Sequence, residues 1–253
     1  MRLALIAAAV ALALPLPAAA QVVSKGQVGA ALFMPGRPAD AVKLDADRKP
    51  AEVLNFLGLK KGDVAADIMA GSGYYSEIMA RLVGPKGKVV AYEPTQFYDE
   101  KAKASWHSLI GREPNVSVVS YPFDKFAAPA DTYDFVMLHM VYHDQYWESA
   151  KYGIPRSDPA VFVKTLYAAM KPGGIVGVVD HVANPNDDTR ATVEAMHRID
   201  PAVVKADFEA AGFVLEDSSD VLSNPDDAHD KSVFDPAIRG HTDRIVYRFR
   251  KPG

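Results

Sequence analysis

The chain has 253 residues and a net charge of −4, so it lacks the basic excess expected of a nucleic-acid-binding protein. It contains no cysteine, which removes disulfides, thiol nucleophiles, CxxCH haem attachment and Cys-type zinc sites. With 49% hydrophobic residues it can build a substantial core, as one large domain or two small ones.

Met1-Arg2 is followed by the apolar run "LALIAAAVALALPLP", and Ala18-Ala19-Ala20 precede Gln21. This reads as a secretory signal peptide over residues 1–20, cleaved after Ala20. The run falls short of the roughly 20 apolar residues that span a bilayer, which disfavours an uncleaved anchor. The expectation is an exported protein, periplasmic in a Gram-negative cell, with no stable membrane insertion after cleavage. Residues 21–48, interrupted by Pro35, Gly36 and Pro38, read as an N-terminal arm or lid.

From there the pattern alternates. "RKPAEVLNFLGLKKGD" sets Val53, Leu54 and Leu57 on one helical face and stops at Gly58 and Gly62. "DVAADIM" predicts a buried strand, "YYSEIMARLV" an amphipathic helix and "GKVVAYEP" a second strand. "QFYDEKAKASWHSLI" predicts a helix, "NVSVVSY" a third strand, and "YDFVMLHMVYHD" a fourth strand leaving into a loop. "DPAVFVKTLYAAM" predicts a helix that stops sharply at Lys171-Pro172-Gly173-Gly174, before the apolar fifth strand "IVGVVDH". Continuous apolar strands alternating with helices indicate a parallel sheet covered on both faces. The tail adds a helix, "PAVVKADFEAAGF", a strand, "VLEDSS", and a terminal strand, "DRIVYRFRKP", reached through the polar segment 220–243.

Ligands of open parallel sheets sit beyond the carboxyl ends of the strands. That singles out Met69 to Gly73, Glu93, Tyr121 to Asp124, His139 to Asp144, and Asp180-His181. Gly71 and Gly73 allow a tight turn, and the following helix offers its amino terminus. Glu93, ending the second strand, is suited to accept both hydroxyls of a ribose; the alternative is a solvated strand-end acid. Asp67, Gly71-x-Gly73, Glu93, Tyr133-Asp134-Phe135-Val136 and "MKPGGIVGVVD" together resemble class I S-adenosylmethionine-dependent methyltransferases, over about residues 50–252. More narrowly, "YHD" after the fourth strand and the tail "NPDDAHDKSVFDPAIRGHTDR" resemble an exported group of predicted methyltransferases.

The resemblance implies an α/β fold: a Rossmann-like, seven-stranded mixed sheet with helices on both faces and a reversed final hairpin, over residues 49–253. It implies S-adenosylmethionine as cofactor, bound by Asp67, Ala70, Gly71, Gly73, Glu93, Asp124 and His139, and a small-molecule acceptor. Two departures stand out. Met69 occupies a position where the family usually has Gly. Tyr121 ends the third strand where an acid is frequent, with Asp124 three residues later.

The seven histidines are His107, His139, His143, His181, His197, His229 and His241. His143 and Asp144 follow the fourth strand and Asp180-His181 ends the fifth, which places them at the acceptor side. His143, Asp144 and His181 are the candidate catalytic residues, His143 as general base with Asp144 orienting it. A structural cap is the alternative role for His143. No HxxxH-on-helix spacing supports a metal, and none is assigned. Tyr142, Tyr146, Trp147 and Tyr152 could stack on an aromatic acceptor or simply pack the loop. Asp226, Asp227 and Asp230 around His229 read as a solvated acidic loop. Because the cofactor is made in the cytoplasm, two rival readings stand beside an exported methyltransferase: a non-catalytic binding module on the same fold, and a metal-assisted hydrolase using the histidines.

Overall fold

The computed structural model describes residues 21–253, and the expected signal peptide over residues 1–20 lies outside the described residues. Three short helices come first: α1 (Lys25–Phe33), α2 (Ala39–Lys43) and α3 (Asp45–Arg48). Then follow α4 (Pro50–Leu57), β1 (Val64–Ile68), α5 (Tyr74–Val83), β2 (Lys88–Pro94), α6 (Glu100–Arg112), β3 (Val116–Tyr121) and β4 (Tyr133–His139). The chain continues with α7 (Pro159–Ala169), β5 (Met170–His181), α8 (Thr189–Met196), α9 (Pro201–Ala210), β6 (Val214–Ser218) and β7 (Arg244–Arg250).

Local sequence explains many of the boundaries. A Ser24/Gln27 capping box starts α1. Asp158 and Asp200 cap α7 and α9, each with a proline at the first helical position. The strands form one seven-stranded sheet in the order β3-β2-β1-β4-β5-β7-β6. β3 through β5 pair in parallel, while β7 runs antiparallel between β5 and β6. This is the mixed sheet and reversed final hairpin expected from the sequence.

Alternate strand residues supply two cores. Ala65, Val89, Phe135 and Val179 meet residues of α1, α4, α5 and α6, including Val28, Leu54, Ile78 and Trp106. Ala66, Val90, Val136 and Val178 meet Phe162, Val163, Val204 and Phe208 of α7 and α9. Both faces are covered, which is why the central strands are apolar throughout.

The structure also departs from the expected elements. Within the stretch read as the fourth strand and its loop, the strand ends at His139, Met140 turns left-handed at φ 58°, and residues 143–146 form an unexpected 3₁₀ turn. Lys171 to Gly174 do not break the chain between helix and strand. They belong to the start of β5, beside a register shift opposite Tyr133 and Phe135. Helices α1, α2, α3 and α8 were not expected. Residues 21–48 lie against the sheet domain: Arg37 pairs with Asp45 at 2.6 Å, and the Tyr74 hydroxyl donates to Asp45 at 2.7 Å. Among the described residues no helix is long and apolar enough to cross a membrane.

Candidate functional site

The turn from β1 into α5 opens the site. Met69 adopts the left-handed backbone itself, at φ 53°, so the chain makes the turn a glycine would favour while keeping a side chain. That side chain is buried in the second core, its sulfur 3.8 Å from Gln145 Nε2. Gly73 is also left-handed, at φ 78°, and a Cβ there would lie 2.5 Å from Leu109. No other residue type fits that position without displacement.

Behind the turn are two buried acids. Ser76 Oγ donates to Asp67 at 2.6 Å, and burial lifts Asp67 to about 6 against that bond. The Gly71 N–H donates to Glu93 Oε2 at 2.8 Å. Burial raises Glu93 to about 7, opposed by the Gly71 bond and reinforced by Asp67. Glu93 thus ties the second strand to the glycine turn.

In front of the turn is a cavity of about 220 Å³, lined by Arg48, Asp67, Ala70, Gly71, Tyr75 and His139, with Met140 at its edge. The His139 ring lies 4.7 Å from that of Tyr75, and its Nε2 is buried with no hydrogen-bond partner. Burial, then the Arg48 and Arg244 charges, hold His139 well below its ordinary value, so it is neutral. Arg48 lies 4.4 Å over the Tyr74 ring and makes no ion pair among the described residues. It arrives from α3, in the segment read from sequence as an arm, and no motif marked it.

Of the residues expected to hold a cofactor, Asp67, Ala70, Gly71 and His139 line this cavity. Gly73 shapes the turn, and Glu93 braces it from behind. Asp124 does not join them: it is exposed and borders a separate cavity of about 290 Å³ with Phe123, Gln145 and Arg156. The third strand ends in Tyr121, whose buried hydroxyl has no partner.

A second cavity, of about 520 Å³, shares Met140 with the first. Phe97, Trp147, Tyr152, Val233 and Phe234 give it apolar walls, and His143, Asp144, His181 and His197 form its polar side. The completely buried Asp180 organises that side. It accepts from the His143 backbone N–H at 2.8 Å, contacts His143 Nδ1 at 2.7 Å and accepts from the His181 N–H at 2.8 Å. His181 Nδ1 meets Thr242 Oγ1 at 2.7 Å. Burial pulls His143 down, but the Asp180 and Asp144 carboxylates outweigh it and hold the imidazole up at about 9. Burial takes His181 down to about 3, opposed by Asp180 and reinforced by the cations around it.

Sequence reading brought His143, Asp144 and His181 together correctly as neighbours but missed His197. That residue ends α8 with left-handed backbone, φ 52°, between the rings of Trp147 and Phe234. Within the aromatic group, Tyr142 and Tyr146 both donate to Asp207 at 2.6 Å and pack the loop, whereas Trp147 and Tyr152 face the cavity.

The polar tail contains a buried clamp, not only a solvated loop. Asp227 accepts two bonds from Arg198, at 2.9 and 3.0 Å, and Arg198 also donates to the carbonyls of Val182 and Lys231. The Val233 N–H donates to the Met196 carbonyl, fixing the tail against α8. A further cavity, of about 770 Å³, lies at the opposite edge of the sheet beside Lys88 and Val116, where Arg81 is taken up by Glu77 and Glu113.

Residues 41–121 match the family model of protein-L-isoaspartate (D-aspartate) O-methyltransferase. A protein-L-isoaspartate O-methyltransferase of Ignicoccus hospitalis is 30% identical over 95 residues, 38% of this chain and 44% of that protein. The chain spans less than half the length of the curated relatives it matches. Among solved structures, an S-adenosylmethionine-dependent methyltransferase from Aquifex aeolicus aligns at TM-score 0.57 and 22% identity, over 85% of this chain and 98% of that one. The [4+2]-cyclase SpnF aligns at TM-score 0.59 and 17% identity, over 87% of this chain and 86% of that one. At these identities the structural likeness speaks for the fold.

Proposed function

We propose that this chain, which has the fold of the class I S-adenosylmethionine-dependent methyltransferases, binds S-adenosylmethionine and transfers its methyl group to a small-molecule acceptor. One observation carries the reading: two cavities at the carboxyl edge of the sheet meet at Met140, one beside the glycine turn and one walled by aromatic rings and histidines. A two-substrate transfer needs adjoining compartments that hold both partners in line. The family match over residues 41–121 takes in Arg48, Asp67 and the glycine turn of the first compartment.

In this reading Asp67, Gly71 and His139 hold the nucleoside and methionine portions, Glu93 braces the turn from behind, and the Arg48 guanidinium takes the methionine carboxylate. Bound there, the cofactor supplies a methyl group on a sulfonium, whose leaving group needs no activation. What the protein adds is alignment and removal of the acceptor's proton. His143, Asp144 and His181 form the polar wall that aligns the acceptor. With its imidazole held up at about 9, His143 is protonated at neutral pH and can take up the acceptor's proton only at more alkaline pH. The second cavity, at about 520 Å³, falls within the range of about 300–1,000 Å³ usual for small-molecule sites.

Calorimetry with S-adenosylmethionine and its demethylated product tests the cofactor assignment. One molecule of either should bind per chain, and Gly71→Val should abolish binding; no binding by the parent would refute the reading. Transfer of labelled methyl to a panel of phenols, thiols and amines, run against an isoaspartyl peptide, tests the acceptor. Label appearing on the peptide alone would sink the small-molecule assignment. Export belongs to the same proposal: intact mass from the envelope fraction should begin at Gln21, and a full-length cytoplasmic product would contradict it.

A further inference from the structure

The geometry points to a divalent metal site of zinc type in the second cavity, with His143 Nε2, His197 and Asp144 as its protein ligands. One donor atom from each of these residues lies within 4.8 Å of the other two. His143 Nε2 is 3.3 Å from Asp144 Oδ1, and His197 Nδ1 is 3.5 Å from the same oxygen. Two donors bound to one zinc at about 2.0–2.1 Å sit about 3.3 Å apart at the tetrahedral angle. Both contacts already have that spacing.

Neither contact is a hydrogen bond. Among the described residues His143 bonds only to Asp180, at 2.7 Å, while Asp144 has only these two histidines as ionic neighbours. The surroundings also match a metal centre. Asp180 holds His143 Nδ1, which leaves Nε2 directed at Asp144. Thr242 holds His181 Nδ1, and the His181 ring lies 5.9 Å from that of His143. A carboxylate fixing the outer ring nitrogen is the usual support of a metal-bound imidazole. Trp147 and Phe234 pack edge-on against His197 and supply the apolar shell.

Two imidazoles and one carboxylate suit zinc and its first-row neighbours and not magnesium or calcium. Three protein ligands leave a coordination position for a molecule in the cavity. Resting on the proposed methyl transfer, that position would hold the acceptor's oxygen or sulfur as an anion, its proton having passed to solvent. The acceptor lone pair would then form the new bond to the methyl carbon as the bonding pair of the breaking S–C bond returns to sulfur.

The test is binding to the chelator-stripped protein without any cofactor. Zn²⁺ is titrated against a chromophoric chelator, and Co²⁺ is followed by its visible absorption. One ion per chain should bind, with Mg²⁺ failing to compete. His197→Asn, which tolerates the left-handed backbone, and Asp144→Asn should each weaken binding on the order of 100-fold or more. Asp180→Asn should weaken it by about 10–100-fold, the usual effect of losing an outer partner. His107→Ala, exposed on α6, should change nothing. Should Asp180→Asn fail to fold, the two variants at partly exposed positions still decide the matter. Absence of stoichiometric binding, or equal affinity in parent, His197→Asn and Asp144→Asn, overturns the site. Metal bound by a protein that ignores S-adenosylmethionine would leave this site standing and remove the methyltransferase reading.

Discussion

Glu93 gives the proposed cofactor site a pH dependence of stability that can be measured. Its carboxyl is buried, accepts one N–H from Gly71, and is raised from 4.5 to about 7. A carboxyl raised by folding favours the folded state only in its protonated form, so stability falls as pH climbs from 4.5 through 7 and is level above. At about 1.36 kcal/mol per pH unit, the ionised form costs the unliganded fold about 3 kcal/mol in the alkaline plateau. Between about pH 5 and about pH 8.5 the cost grows by roughly 2.5 kcal/mol, because part of it is already present at the lower pH.

Glu93→Gln keeps the shape and the acceptor for Gly71 but cannot ionise. Its stability relative to the parent should therefore improve by about 2.5 kcal/mol across that pH interval, whatever fixed penalty its extra amide donor carries. Asp67, raised by burial to about 6, is present in both proteins. Urea titrations of both proteins at the two pH values supply the number, and calorimetry should show the variant binding S-adenosylmethionine more weakly. Parallel pH profiles would refute the burial argument. A steeper loss in the variant would reverse its sign.

Met69 should invert the usual order of small substitutions. Met69→Ala keeps the left-handed strain and loses the buried side chain, while Met69→Gly relieves the strain, so Gly should be the more stable by about 1 kcal/mol; thermal melts with Ala equal or better would contradict this. Arg48→Ala should weaken binding of the demethylated cofactor by about 1.5–3 kcal/mol, the value of a charged hydrogen bond, and unchanged calorimetric affinity would remove Arg48 from the site. Gly73→Ala should destabilise by about 2–4 kcal/mol, from left-handed backbone plus contacts at 2.5 Å to Leu109 and 2.9 Å to Trp106. A denaturation midpoint equal to the parent's would show that α6 yields easily.

The parts of the molecule that sequence reveals are those in which one periodicity dominates. β1, β2, β4 and β5 are buried on both faces and read as apolar runs, and the helices between them have a clear inner stripe. The glycine turn and Glu93 could be placed because strand ends are legible once strands are. α1 starts with a capping box but carries only Val28 and Ala31 as buried residues, too few to announce a helix. α8 buries Val193 alone, so neither it nor His197 at its end was visible. Arg48 and His197 reach the site through tertiary packing of short helices, which local pattern does not encode. Asp124 was placed by analogy with an acid at a strand end, whereas the buried residue there is Tyr121. Met69 broke the glycine pattern in sequence but not the turn, because its own backbone takes the conformation that glycine would supply.

The Arg198–Asp227 clamp divides the long span between β6 and β7 into two shorter arcs, each anchored in folded structure. Their ordering entropy is spent when the chain folds and not when a molecule enters. In the proposed function Val233 and Phe234 would therefore meet an acceptor as a preset wall, and discrimination there would be by fit. Such a wall separates neighbours in a chemical series by only about 1–3 kcal/mol per methylene. It can also be recut: exchanging the side chain at 233 would resize the chamber, whereas a change at 234 would also remove the ring packed on His197.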